Sequence, residues 1–225
     1  MKIKIDKPSD LIPYIEHTNL KPEATPNDII KLCEEAKEYG FFGVCVNPRY
    51  IELAKKELKD SKCKVVAVIG FPLGANLSES KADEAKRVIG LGADEVDMVI
   101  AIGAIKAGDK DYVLKDINGV IEAAGEIPVK VIIETALLND DEKKLACELS
   151  KQAGAAFVKT STGFSTAGAK EEDIRLMRSV VGDKLGVKAA GGIRDYETAK
   201  RMIEAGANRL GCSASVEIVA EKGKG

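Results

Sequence analysis

The chain has 225 residues, 45% of them hydrophobic and 31% charged, and a net charge of −2. This composition fits an ordinary globular protein of one domain spanning residues 1–225. With no basic block and no aromatic–basic interleaving, it excludes a general nucleic-acid binder. No apolar run approaches the ~20 residues of a membrane span, so no membrane partner is expected. The leading MKIKIDKPSD lacks a signal-peptide core, which makes the cytoplasm the expected location.

The predicted elements alternate along the chain. Residues 9–14 read as a short leading helix and 15–20 as a first strand. Thr25 or Asn27 then caps a helix whose apolar positions recur at helical spacing until Gly40 ends it. Strands are predicted at 43–46, 64–69, 95–100, 129–134, 155–158, 186–190 and 206–211. The helices between them are expected from Pro48 to about 58, from a Ser78 cap to 91, and over about 109–124. Further helices are expected from Asp140 to 152, over 171–181, from an Asp195 cap to 205, and from Ser213 or Ser215 onward. Short, continuously apolar strands between amphipathic helices imply a parallel sheet covered on both faces. Eight such units fit a closed (β/α)₈ barrel with a short additional N-terminal helix. An open doubly wound sheet lacks its fingerprint, because no GxGxxG follows the first strand.

In such a barrel, active sites collect at the C-terminal strand ends. Asp97 interrupts the fourth strand, and Lys130 and Glu134 flank the fifth. Lys159 ends the sixth in FVKTSTGF, and Lys188 lies in the seventh. Each alone reads as an ion pair or a rim charge. Two lysines and an aspartate converging on one barrel mouth point to chemistry. A neutral amine at Lys159 is the nucleophile for a Schiff base with a carbonyl. A second ammonium ~5 Å away, such as Lys188, disfavours the charged amine by roughly 3 kcal/mol at an effective dielectric near 20. Gly163, Gly191, Gly192 and the Gly211–Ser213 turn follow the last three strands, where backbone N–H groups can approach a phosphate. The five cysteines (Cys33, Cys45, Cys63, Cys147 and Cys212) form no CxxC pair, and His17 is the only histidine, so reduced thiols and no metal site are expected. Cys45 reads as a small buried apolar group.

The stretches HTNLKP (17–22), VCVNPRYI (44–51), VIGFPLG (68–74), ADEVDMVI (93–100), VKVIIET (129–135), FVKTSTGFST (157–166), VKAAGGIRD (187–195) and RLGCS (209–213) run through nearly the whole chain. In this order they resemble the 2-deoxyribose-5-phosphate aldolase family, Schiff-base (class I) aldolases on a TIM barrel. The resemblance implies reversible cleavage of 2-deoxy-D-ribose 5-phosphate to D-glyceraldehyde 3-phosphate and acetaldehyde, with no metal or other cofactor. It further implies Lys159 as the imine lysine, Lys188 as the second lysine and Asp97 as the proton-transfer group. Gly163, Gly191, Gly192 and Ser213 fall at phosphate positions, Cys45 falls near the pocket, and a homodimer is implied. With Lys130 and Glu134, Cys45 makes a candidate secondary polar pocket. Glu16, Ala101, Ala167 and Ala214 depart from the family's usual Asp, Asn, Gly and Ser. The alternatives are another phosphosugar Schiff-base aldolase or isomerase on this fold, or a non-catalytic barrel that binds a phosphosugar.

Overall fold

The computed structural model describes residues 3–220. Its strands are β1 (Ile15–Asn19), β2 (Gly43–Val46), β3 (Lys64–Ile69), β4 (Glu95–Val99), β5 (Val129–Ile132), β6 (Phe157–Lys159), β7 (Gly186–Ala190) and β8 (Arg209–Cys212). All pairings are parallel and follow chain order, and β8 closes onto β1 through Ile15–Leu210 and His17–Cys212. The (β/α)₈ expectation is therefore met. Among the described residues no helix is long and apolar enough to cross a membrane.

The helices are α1 (Pro26–Tyr39), α2 (Ile51–Glu57), α3 (Ser78–Gly90), α4 (Ile102–Ala107), α5 (Lys110–Ala124), α6 (Asp140–Ala153), α7 (Glu171–Val181), α8 (Tyr196–Ala205) and α9 (Ser215–Ala220). Their starts are chemically specified. Thr25 and Asp28 form a capping box on α1, Asn139 and Glu142 another on α6, and Asp195 accepts from Thr198 N at 2.7 Å to cap α8.

Local expectations fail where the sequence carries little signal. The leading helix is a 3₁₀ turn, Pro8–Tyr14, and Pro48–Tyr50 forms another before α2. Ser78 is not a cap: it is the first residue of α3, buried, with Leu77 at the cap position. Helix α4 is short and contains Gly103, which hid it. The last strand starts at Arg209 and not at 206, because Gly206 is consumed in ending α8.

Side chains alternate along each strand. Val65, Ala67 and Ile69 on β3, with Val96 and Met98 on β4, join the large apolar core that the helices cover. The opposite faces point into the barrel. On β2 and β3 they carry Cys45, Val66 and Val68, which form a small apolar cluster with Leu20. The remaining inward faces carry charge.

Candidate active site

The two-residue period puts both Glu95 and Asp97 on the inward face of β4, and both Phe157 and Lys159 on that of β6. Asp97 is fully buried and is the hub of the cluster. Its Oδ2 accepts from Lys159 Nζ at 2.8 Å and from Lys188 Nζ at 2.7 Å, while Oδ1 accepts from Lys130 Nζ at 2.8 Å. Glu16 on β1 accepts from Lys188 Nζ and, at 2.8 Å, from Arg209 on β8. Glu95 takes Lys130 at 2.6 Å and Arg209 at 3.2 Å. The Arg209 guanidinium lies 3.3 Å from the Phe42 ring centroid and 5.2 Å from that of Phe157, a cation–π platform under the network.

Glycines make room for this. A Cβ at Gly211 would sit 3.1 Å from Lys188 Cε, and one at Gly186 would meet the Phe157 ring at 2.1 Å. Bulkier residues there would displace the second lysine or the aromatic platform.

The charges decide what each group can do. Burial raises the Asp97 carboxyl, but Lys130, Lys159 and Lys188 outweigh it and hold Asp97 well below the usual carboxylate range. Burial lowers Lys188, but Asp97 and Glu16 outweigh it and keep Lys188 above the usual lysine range; Lys130 is raised by the same two carboxylates. Glu16 is likewise lowered against its burial, chiefly by Lys130 and Lys188. Four cations (Lys130, Lys159, Lys188 and Arg209) thus face three carboxylates (Glu16, Glu95 and Asp97). The cations outnumber the carboxylates by one. Lys159 is the one lysine of the three that lines the cavity at the barrel mouth.

That cavity measures about 450 Å³ and is walled by Lys159, Gly163, Gly191, Gly192 and Ser213, among others. The imine candidate and all four phosphate candidates therefore meet in one space. Gly163, Gly191 and Gly192 have φ values of 87°, 86° and 77°, a region that admits glycine without strain. Of the candidate secondary pocket, Lys130 sits deep in the barrel on Asp97 and Glu95, because it is the second residue of β5 and not its C-terminal end. Glu134 lies elsewhere. It is the one non-glycine residue with positive φ (56°) among the described residues, and its carboxylate accepts from Thr162 N at 3.2 Å. It braces the turn after Lys159.

Cys45, Glu16 and Asp97 place potential metal-ligand atoms within 4.8 Å of one another. The Lys188 ammonium already bonds both carboxylates, and burial pushes the Cys45 thiol up to about 11. The trio is a lysine site. Arg209 and Glu95 escaped the reading of the sequence, and Glu16 was singled out only as a departure. Glu95 was within reach, since it shares Asp97's face two residues away. Arg209 and Glu16 are 193 positions apart and meet only when the barrel closes.

Comparison with known proteins agrees with this geometry. Residues 11–215 match the DeoC/LacD family aldolase. The deoxyribose-phosphate aldolase of Thermococcus gammatolerans is 61% identical over 214 residues, covering 93% of this chain and 95% of its own. The Clostridium tetani enzyme of the same name is 60% identical over 209 residues, covering 92% and 97%. A solved deoxyribose phosphate aldolase from Aeropyrum pernix, described as tetrameric, is 35% identical with a TM-score of 0.88, covering 95% of this chain and 91% of that one. Fold and relatives together define a carbon–carbon lyase on a (β/α)₈ barrel. The chain belongs to the DeoC/LacD family of aldolases.

Proposed function

We propose that the protein is a deoxyribose-phosphate aldolase that works through an imine at Lys159. The observation that carries this reading is the position of Lys159: it shares Asp97 Oδ2 with Lys188, yet alone of the three network lysines it opens onto the cavity. In the cleavage direction the neutral Lys159 amine attacks C1 of the open-chain sugar, and loss of water gives a protonated imine. That imine is the electron sink. The C3 hydroxyl gives up its proton, the C2–C3 bond breaks, and D-glyceraldehyde 3-phosphate leaves. The enamine left on Lys159 is protonated at C2, and hydrolysis releases acetaldehyde. Asp97, ionised and bonded to Lys159, relays these protons directly or through a water. Lys188 keeps its charge and holds Asp97 in place.

The phosphate is held by backbone N–H groups of Gly163, Gly191 and Gly192 and by Ser213; the turns Gly163–Phe164, Gly191–Gly192 and Cys212–Ser213 contain no lysine or arginine, although Arg194 follows closely and borders the same cavity. A donor to an ionised oxygen contributes roughly 1.5–3 kcal/mol, so two such contacts change kcat/KM by about 10²-fold or more. The test is kcat/KM for 2-deoxyribose 5-phosphate and for 2-deoxyribose in wild type and in Ser213→Asp. The expected result is a strong wild-type preference for the phosphorylated sugar that the added carboxylate largely removes. Equal values for the two sugars in wild type would place the phosphate elsewhere. An isomerase is the weaker reading, because it relies on a carboxylate base and has no use for the lysine pair that Lys159 and Lys188 form on Asp97 Oδ2.

The chain acts as one catalytic domain in the cytoplasm and as a homo-oligomer, a dimer at least. Support for assembly comes from the tetrameric Aeropyrum pernix relative. Light scattering on the purified protein reads the subunit number; a monomer would remove that part of the reading.

A further inference from the structure

The strand that carries Glu16 inward turns its next residue outward. His17 therefore leaves the barrel interior and sits between β1, α1 and the first turn of α9, with its ring 5.4 Å from that of Phe41. It is the chain's only histidine, and it is buried. Both ring nitrogens are engaged: Nε2 with Glu35 Oε2 at 2.8 Å, and Nδ1 with Ser215 Oγ at 2.9 Å. Ser215 is fully buried, and its hydroxyl also donates to the Cys212 carbonyl at 3.0 Å. Cys212 is the strand residue paired with His17.

These bonds enclose the turn 212–215, and that turn carries Ser213 into the cavity that Lys159 opens onto. His17 and Glu35 border the same cavity. Ala214 offers no hydroxyl, so the turn contributes Ser213 and its backbone alone, and its direction decides whether those groups meet an anion. A buried histidine with both nitrogens engaged is commonly a structural tie. This one ties down a turn that faces the substrate cavity.

We propose that the Glu35–His17–Ser215 string is a positioning device for the phosphate end of the substrate, with His17 as its centre. The inference rests on the deoxyribose-phosphate reading above and extends it to residues outside the ionic network. His17 acts through the turn and performs no step of the carbon–carbon chemistry. Its contribution therefore falls on discrimination between phosphorylated and unphosphorylated sugar.

The experiment measures kcat and KM for 2-deoxyribose 5-phosphate and 2-deoxyribose in wild type, His17→Gln, Ser215→Ala and the double variant. Imine trapping at Lys159 with acetaldehyde serves as the control that each barrel is folded. Each single change should lower the phosphorylated-to-unphosphorylated ratio of kcat/KM by roughly 10-fold, the effect of one well-made hydrogen bond, mainly through KM. The double variant should lose no more than the worse single, because the two residues act as one unit. Equal losses on both sugars, or an additive double, would overturn the proposal. A wild type that cleaves neither sugar would instead sink the deoxyribose-phosphate reading itself. A second measurement needs no variant. With one histidine the imidazole NMR signals are unambiguous, and they should move on addition of inorganic phosphate to the wild-type protein. Signals that stay fixed while phosphate inhibits competitively would also overturn the proposal.

Discussion

Among the described residues, two places bury a lysine fully against a fully buried carboxylate, and they do different things. Between α3 and α5, Lys81 Nζ donates to Asp116 Oδ2 at 2.6 Å and to the Val99 carbonyl at 3.0 Å, with both side chains fully buried. There one cation meets one anion, and burial pulls the Lys81 ammonium down while Asp116 pushes it back. Inside the barrel, four cations share three carboxylates, and one of the lysines borders a cavity. Burial and pairing are common to both sites. The unequal charge count and the open face belong to the barrel network, and on the proposed reading they single out Lys159 as the nucleophile.

The comparison breaks most sharply at Lys159. Lys159→Leu should lower turnover by ~10⁴-fold or more while the protein stays folded, as steady-state kinetics and a thermal melt will show. Asp97→Asn keeps the size and removes the base, so turnover should fall by ~10²-fold or more while imine trapping persists. If that variant turns over like wild type, Asp97 is a structural hub only.

Lys188→Leu tests the charge count. With Lys188 gone, Lys130, Arg209 and Lys159 balance the three carboxylates. The acid limb of the pH–rate profile should move to higher pH, and activity should recover as pH rises. A limb that stays put would show that the count does not govern the amine.

At the outer pair the expected effect is on stability. Lys81→Met leaves Asp116 buried and alone, which should cost about 3–5 kcal/mol in denaturant unfolding with kcat retained. Replacing both partners by apolar residues should recover most of that loss. Persistent loss in the double variant would mean that the pair does more than satisfy itself.

The smallest effect concerns the thiols. Burial pushes Cys45 to about 11 and Cys33, Cys147 and Cys212 to about 12, so these four thiols stay protonated at neutral pH. Native-state alkylation of Cys45 should be slow at pH 7.5. The folded chain also holds these protons more tightly than the unfolded chain, whose thiols titrate near ~8.5. Stability should therefore decline as pH rises from there toward about 11. Rapid labelling of Cys45 at pH 7.5 in folded protein would contradict this.

The sequence showed the barrel more clearly than its interior. Strands β2, β3 and β7 and helix α7 fall where apolar runs and helical spacing put them, because these signals are local. Asp97, Lys159 and Lys188 were legible as costly charges in apolar strands. Their full set of partners was not, since Glu16 and Arg209 meet only through closure of β8 on β1. Glu134 was placed at a strand end by its apolar neighbours, and nothing local announces a left-handed glutamate turned toward Thr162. The His17–Ser215 contact spans 198 residues and was hidden for the same reason.

The central claim is that Lys159, and not its fully enclosed neighbours Lys130 and Lys188, becomes covalently attached to the substrate carbon. Borohydride reduction with acetaldehyde present, followed by peptide mass mapping, reads this directly. The prediction is a single ethyl group on the peptide carrying Lys159, with the Lys130 and Lys188 peptides unmodified. An ethyl group on Lys188 or Lys130 with Lys159 untouched would contradict it.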